Sequence, residues 1–532
     1  MPRCSIIVSS LPGEVERSHP LEWGIAPGAD PRTGGMGAAR PGDQASSGRT
    51  RSEEGMEIGI IGAGAAAVGL LDALPPGTAE AVTVFDPARL PWRGRPYQPD
   101  LDSVRVNVTP EISSIRFRDG GHYVRWLGER GAVHMDRLLG RPLVPRGVFG
   151  GYLEDTARAA LTKFGRARVV RAAVTGVSAG ERLTLTTGDG RRHEVDRVVL
   201  CVGGGAPLDH YGLTGTPGFV PDPYPLERTL ADVPAGGDVA VLGSGLTAVD
   251  IVVSLAARGH TGRISLVSRS GALPYVWQRP REIELRHLTF ERVRALTGPV
   301  TLDALAGLMR AELAEHGEDW DELAARIAAD ARSADTAGIL RRGVDEVDSP
   351  AVGRQILRIT AHGLAPRVWR MLPGADRRLL RERHFRTAVG LASPMVPVNA
   401  AALLDLFDSG QLEAVRGIQK IEPGRGARGG FRLAHAAGER TADVVINAVN
   451  PPPHAVPRTA EPLVTALLAA GAALDPSGGL RTDPSTGRLL VGGRPDPRVH
   501  VVGDLAGGGS FVTSGIPAVA ARAHLAAASL AR

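Results

Sequence analysis

The chain has 532 residues, and its 62 lysines and arginines against 57 aspartates and glutamates give a formal charge of +5. That length allows two or three domains with large cores, while so small a charge for the size gives no argument for a nucleic-acid partner. The two cysteines, Cys4 and Cys201, are too far apart to read as a disulfide framework or a metal cluster, and no apolar run of about 18 residues marks a membrane span or a signal-peptide core. A reducing cytoplasm is the expected setting.

Residues 1–55 are rich in Gly, Pro, Ser and Arg without sustained periodicity. Such a composition buries too little apolar surface to offset its ordering entropy, so disorder is expected there. Met56 stands directly before the first expected strand and offers a start site that would make the leader an extension.

The stretch EIGIIGAGAAAVGLLDAL, Glu57 to Leu74, opens with an apolar run suited to a strand buried on both faces, then passes through glycines into an Ala/Leu helix. Gly62 and Gly64 let the backbone turn sharply and approach a pyrophosphate, and Ala67 takes the third position, where a small residue lets helix and strand lie close. The positive end of the helix would face the phosphates. After it, AVTVFDP ends in Asp86, 22 residues beyond Gly64, placed to accept hydrogen bonds from an adenosine ribose. Strand, turn, helix and acid in this order predict an FAD-binding half-domain over 56–230.

From Arg93 to Ile115 the text is loop-like, with a short strand expected at Val104 to Val108. The Gly62/Gly64 turn, VFDP, GRPYQPD and the Asn107-containing VNVTP together resemble FAD/NAD(P)-binding proteins related to the N-hydroxylating flavin monooxygenases, with the nitrosuccinate-forming amino-acid N-monooxygenases as the nearest likeness. The resemblance runs from Glu57 onward. It implies an FAD contact at Asn107, an amine or amino-acid substrate such as aspartate, O2 as co-substrate, and a place in specialised metabolism.

Residues 168–202 contain alternating apolar stretches with an Asp-Gly turn, read as a small antiparallel insertion that returns to the main sheet through RVVLCVGGGAP. Cys201 is either a redox thiol or a small buried hydrophobe. A second strand, turn and helix begins at Asp238, where Gly243, Gly245 and Ala248 repeat the first spacing. Its following strand ends in Ser268 and Arg269 where the first motif carried an acid. Arginine and serine suit a 2′-phosphate, so NADPH is favoured over NADH; the competing reading makes Arg269 a solvated surface charge. An NADPH domain is expected over 236–395, with amphipathic helices from 296 to 390 as an insertion.

The remainder, 396–532, is read as the second part of the FAD domain. DVVINAVNPPP, Asp443 to Pro453, is expected to lie beside the closing strand. That strand ends in Gly503 and Asp504, which would meet the ribityl or pyrophosphate end of FAD, and a helix follows from near Ile516. The fold class is therefore α/β, with two Rossmann-like dinucleotide-binding domains, for FAD and NADPH, and a helical insertion.

Three nucleotide signals in this order point to a flavoprotein that takes hydride from NADPH. No cysteine pair is present for a disulfide reductase, and the Phe-Gly…His…Trp fingerprint of Baeyer–Villiger oxygenases is missing. N-hydroxylation needs no nucleophilic side chain, because flavin and oxygen carry the chemistry, and no catalytic side chain is assigned. An NAD(P)H-dependent flavin oxidoreductase of another substrate class, or a non-catalytic flavin-binding redox sensor, remains the alternative. Arg279 in WQRP and Arg386 in HFRT either clamp a substrate carboxylate or serve as structural ion-pair partners.

Overall fold

The computed structural model describes residues 55–424, 429–508 and 515–532, and Glu54–Arg532 form one compact unit. Except for Gly55, the leader expected to be disordered lies outside the described residues.

Strand β1 (Glu57–Ile61) leads into helix α1 (Ala65–Ala73) and β2 (Ala81–Phe85), which pairs with β1 in parallel, Glu57 opposite Ala81 and Ile61 opposite Phe85. The apolar run is continuous because the strand is covered on both sides. Ile58 and Ile60 pack into one core with α1, whereas Ile61 and Phe85 join a second core on the other face. Val104 to Val108 is not a strand. Its described pairing is one bridge between Arg105 and Pro145, with the Val106 N–H donating to the Val144 carbonyl. Helix α2 (Arg146–Leu161) then adds Phe149, Tyr152 and Leu153 to the α1 core.

Strand β3 (Arg166–Val170) pairs in parallel with β2, so the expected insertion begins later than residue 168. It consists of β4 (Val174–Ala179), β5 (Leu183–Thr187) and β6 (Arg192–Val195), three antiparallel strands, after which β7 (Arg197–Leu200) returns beside β1.

The second sheet takes β8 (Phe219–Val220), β9 (Val239–Leu242) and, after helix α3 (Leu246–Ala257), β10 (Ile264–Ser268). The helical insertion follows as expected, with α4 (Leu302–Glu315), α5 (Trp320–Arg332), α6 (Thr336–Asp345), α7 (Gly353–Gly363) and α8 (Phe385–Ala392). Three of these helices start where a side chain caps them: Thr301, Asp319 and Asp335 each accept from a backbone N–H three residues on. Leu313, Ile356, Val368 and Trp369 belong to the insertion's own core.

Helix α9 (Pro397–Asp408) leads to β11 (Leu412–Arg416), a three-stranded antiparallel sheet of β12 (Ile418–Pro423), β13 (Phe431–His435) and β14 (Gly438–Ala442), and β15 (Val444–Asn447). β15 pairs with β9, so the segment 443–453 does not supply the neighbour of the closing strand, and the boundary expected at 395/396 does not separate the sheets. The five-stranded order is β8-β15-β9-β10-β11.

The chain returns to the first sheet with β16 (Arg488–Val491) and β17 (Arg494–Val501), giving the six-stranded order β16-β17-β7-β1-β2-β3, and closes with α10 (Ile516–Leu530). α10 lies against α1 because both present small residues. A Cβ on Gly69 would stand 3.2 Å from that of Ala523.

Candidate dinucleotide sites

The first turn closes over β7. Gly62 has φ +98°, and a Cβ there would meet the Cys201 carbonyl oxygen at 2.6 Å, so the position requires glycine for conformation and for space. Gly64 is the N-cap of α1 and no side chain caps that helix, which leaves its first N–H groups to an external acceptor. Ala67 is fully buried. The loop after β2 folds back over this turn, with the Trp92 N–H donating to the Ala63 carbonyl at 2.6 Å and the Gly94 Cα 3.5 Å from where a Gly64 Cβ would lie.

Asp86 clasps the same turn. Its Oδ2 accepts from the Ala63 N–H at 2.6 Å and its Oδ1 from the Ala88 N–H at 2.8 Å, and each oxygen keeps a second lone pair. The backbone carbonyl of Asn107 accepts from Trp277 Nε1 at 3.0 Å, while its Oδ1 is buried without a protein partner.

Gly503 comes to this turn from the far end of the chain, with φ +95° and an ideal Cβ position 3.4 Å from Ala66 Cβ. Beside it, the Asp504 backbone carbonyl is 2.7 Å from His454 Nδ1. Burial pushes the Asp504 carboxyl up, opposed by His454 and Arg522. Arg522 donates to the Gly503 carbonyl at 3.3 Å, and Arg370 holds the Gly508 and Gly507 carbonyls at 2.7 and 3.2 Å. Sequence reasoning passed over His454 and Arg522, and took Arg370 as one of the insertion's arginines, most of them solvated. The available signal for Arg522 was a lone cation in an Ala-rich helix.

The second turn repeats the first. Gly243 has φ +110°, and a Cβ there would be 3.1 Å from the Ala448 carbonyl oxygen. Gly245 is the N-cap of α3, again without side-chain capping, and a Cβ on it would meet nothing within 4 Å. Ala248 is fully buried. Ser268 and Arg269 diverge: Ser268 is buried with Oγ accepting from the Gly271 N–H at 2.8 Å, whereas the Arg269 side chain is exposed and makes no hydrogen bond among the described residues.

Of the two arginines read as carboxylate clamps, Arg279 is engaged elsewhere. Its Nε lies 2.5 Å from Asp348 Oδ1, and its other nitrogens donate to the Leu138 and Leu139 carbonyls at 2.7 Å. Arg386 lies at the surface near Arg269: partial desolvation and the Arg269 charge both depress its pKa. Cys201 is buried, and burial pushes its thiol up, which disfavours the reactive thiolate.

A buried clasp joins the two dinucleotide folds. Arg146 at the start of α2 donates to Asp250 of α3 at 2.6 Å and to the Tyr224 hydroxyl at 3.0 Å, and that hydroxyl donates to Asp250 at 2.6 Å. Near Gly508 a cavity of about 760 Å³ is lined by Arg370, Arg377, Arg378, Arg381 and Arg481, with Glu382 and Asp475 as its acids.

Residues 59–205 match a protein-family model described as FAD-NAD(P)-binding. The whole architecture is similar to L-lysine 6-monooxygenase from Pseudomonas syringae, at TM-score 0.52 and 17% identity over 90% of this chain and 99% of that one. It is also similar to the FAD-bound cadaverine monooxygenase of desferrioxamine biosynthesis from Erwinia amylovora, at TM-score 0.51 and 14% identity over 90% and 95% of the two chains. No curated protein matches the sequence. Residues 59–205 thus match an FAD/NAD(P)-binding domain, within an α/β fold similar to that of these two structures. No helix among the described residues is long and apolar enough to cross a membrane.

Proposed function

We propose that the chain is an FAD- and NADPH-dependent monooxygenase that hydroxylates the amine of a small amino acid. The observation that carries this reading is the pairing of two uncapped helix N-termini, at Gly64 and Gly245, in a fold similar to two amine monooxygenases over nine-tenths of the chain. Each terminus presents backbone N–H groups and the positive end of a helix dipole, the arrangement a pyrophosphate needs.

Gly62, Gly64, Ala67, Asp86, Asn107, Gly503 and Asp504 would hold FAD. The uncapped N–H groups at Gly64, the buried unpaired Asn107 Oδ1 and the meeting of Gly503 with Ala66 fit such a group. Gly243, Gly245, Ala248 and Arg269 would hold NADPH, with Ser268 shaping the turn behind Arg269. FAD, when bound, supplies two-electron transfer from NADPH and the activation of O2. The balance is amine, O2, NADPH and a proton giving hydroxylamine, NADP⁺ and water.

The protein's part is to bind the amine as the free base, shield it from water and aim it. Because an amine pKa lies far above neutrality, turnover should rise toward alkaline pH. An acidic substrate, aspartate oxidised toward nitrosuccinate, is the finer form of this reading, supported by the positive field that the arginine-lined cavity sets up around the last turn. NADPH oxidation under air with single amino acids, followed by mass analysis under labelled O2, tests the reaction. Label in the amine product is the expected result, and its absence across acidic, basic and neutral amino acids overturns N-hydroxylation.

A further inference from the structure

Helix α7 carries Arg354, Arg358 and His362 at successive i, i+4 positions, hence on one face. Two of the three are satisfied by the protein. Arg354 pairs with Glu346 at 2.7 Å, and His362 Nε2 is 2.7 Å from the Ala392 carbonyl.

Arg358 has no hydrogen bond or ion pair among the described residues. Its guanidinium carbon stands 4.3 Å from the centroid of the Trp277 ring, and its side chain is half-buried. No carboxylate compensates the lost hydration, and burial pushes its pKa down to about 10. The arginines of the open cavity differ, since water solvates Arg378, Arg381 and Arg481 at the surface. A half-buried guanidinium on an indole face keeps its edge donors free, in the geometry that takes a carboxylate through two parallel bonds.

Trp277 ties this cation to the flavin side of the molecule. It is 3% exposed, packed with Leu139, Leu143 and Val396, and fixed by backbone donation to the Met395 carbonyl and indole donation to the Asn107 carbonyl, both at 3.0 Å. Arg358, Trp277 and Asn107 are therefore linked by contacts in sequence, with an unmatched cation at one end and an unmatched acceptor, Asn107 Oδ1, at the other.

We infer that Arg358, seated on Trp277, binds the carboxylate of the amine substrate. That the carboxylate belongs to an amine rests on the proposed function; that the site takes an anion rests on Arg358 alone.

The test is equilibrium dialysis of the FAD-loaded protein with labelled succinate, a carboxylate probe that has no amine to oxidise. Wild type should bind it, Arg358→Met should weaken binding about tenfold to a hundredfold, and Arg358→Lys should fall between them. FAD content and NADP⁺ affinity should stay at wild-type values in both variants, which separates loss of the anion site from loss of fold. Arg377→Met, at the open cavity, should change succinate affinity by no more than about threefold, as expected for a screened charge. Undiminished binding in Arg358→Met, absence of binding in wild type, or dependence on Arg377 instead overturns the assignment. Loss of NADP⁺ in place of succinate overturns it too, by giving Arg358 to a coenzyme phosphate. Arg358-dependent succinate binding without oxidation of any amine would leave the site standing and remove the N-hydroxylation.

Discussion

Arg146 Nη2 lies 2.6 Å from Asp250 Oδ2, and the two residues belong to helices that serve different sheets. Asp250 is fully buried, its second oxygen has no partner, and the Tyr224 hydroxyl closes the triangle. The pair sets how α3, with the glycine turn at its head, is held against the first sheet's helix α2.

Removing one charge should be worse than removing both. Arg146→Met leaves a buried carboxylate unpaired and should cost roughly 3–5 kcal/mol, whereas Arg146→Met combined with Asp250→Leu should recover most of that. Urea unfolding of the single and double variants measures it. A double-variant loss equal to the sum of the Arg146→Met and Asp250→Leu losses would mean that the residues act independently.

The two glycine turns should respond to different ligands. Gly245→Val has open space for its side chain, so the protein should fold and keep FAD while losing affinity for NADPH. Gly64→Val should yield protein without flavin, because its side chain would enter the pyrophosphate turn. Flavin absorbance and NADP⁺ titration read the two outcomes, and loss of the same ligand in both variants would refute separate sites.

Arg269→Ala should weaken NADPH by about tenfold to a hundredfold, the worth of a charge-assisted bond of roughly 1.5–3 kcal/mol, and leave NADH nearly unchanged. Equal losses with both coenzymes would make Arg269 structural. Arg386→Ala should show the same preference more weakly, since it shares Arg269's surroundings.

Acid should destabilise the fold through His500. It is fully buried, its Nδ1 has no partner, and burial with Arg488 and Arg197 nearby holds its pKa down to about 4. A histidine depressed in the folded state contributes stability above its unfolded pKa of about 6.5 and loses it as pH falls toward about 4. By pH 5 the loss should be about 2 kcal/mol. Comparing urea midpoints at pH 7.5 and 5.0 for wild type and His500→Leu should show this increment of acid sensitivity disappear in the variant.

Local rules made both glycine turns legible, since the strand, turn and helix that form each are contiguous in sequence and Gly62 and Gly243 are required by their positive φ. Long-range pairing was not. Val444–Asn447 reads equally well as a neighbour of either sheet, and only its register with β9 settles the matter. Arginine roles were similarly opaque: Arg279 and Arg358 look alike in sequence, but Asp348 neutralises one, whereas the other lies over the Trp277 ring without an ion pair among the described residues. Periodicity placed the insertion helices, and their partners came from folding.

The first sheet is built from both ends of the chain: β17 pairs with β7, and α10 covers α1. A ribosome that has released β1, α1 and β2 has therefore made a half-site whose apolar face stays bare until the final residues emerge. At about 5–20 residues per second that delay is on the order of tens of seconds. During synthesis the nascent chain should need a chaperone over this surface, and a premature stop before Ile516 should give insoluble product instead of a smaller, working enzyme.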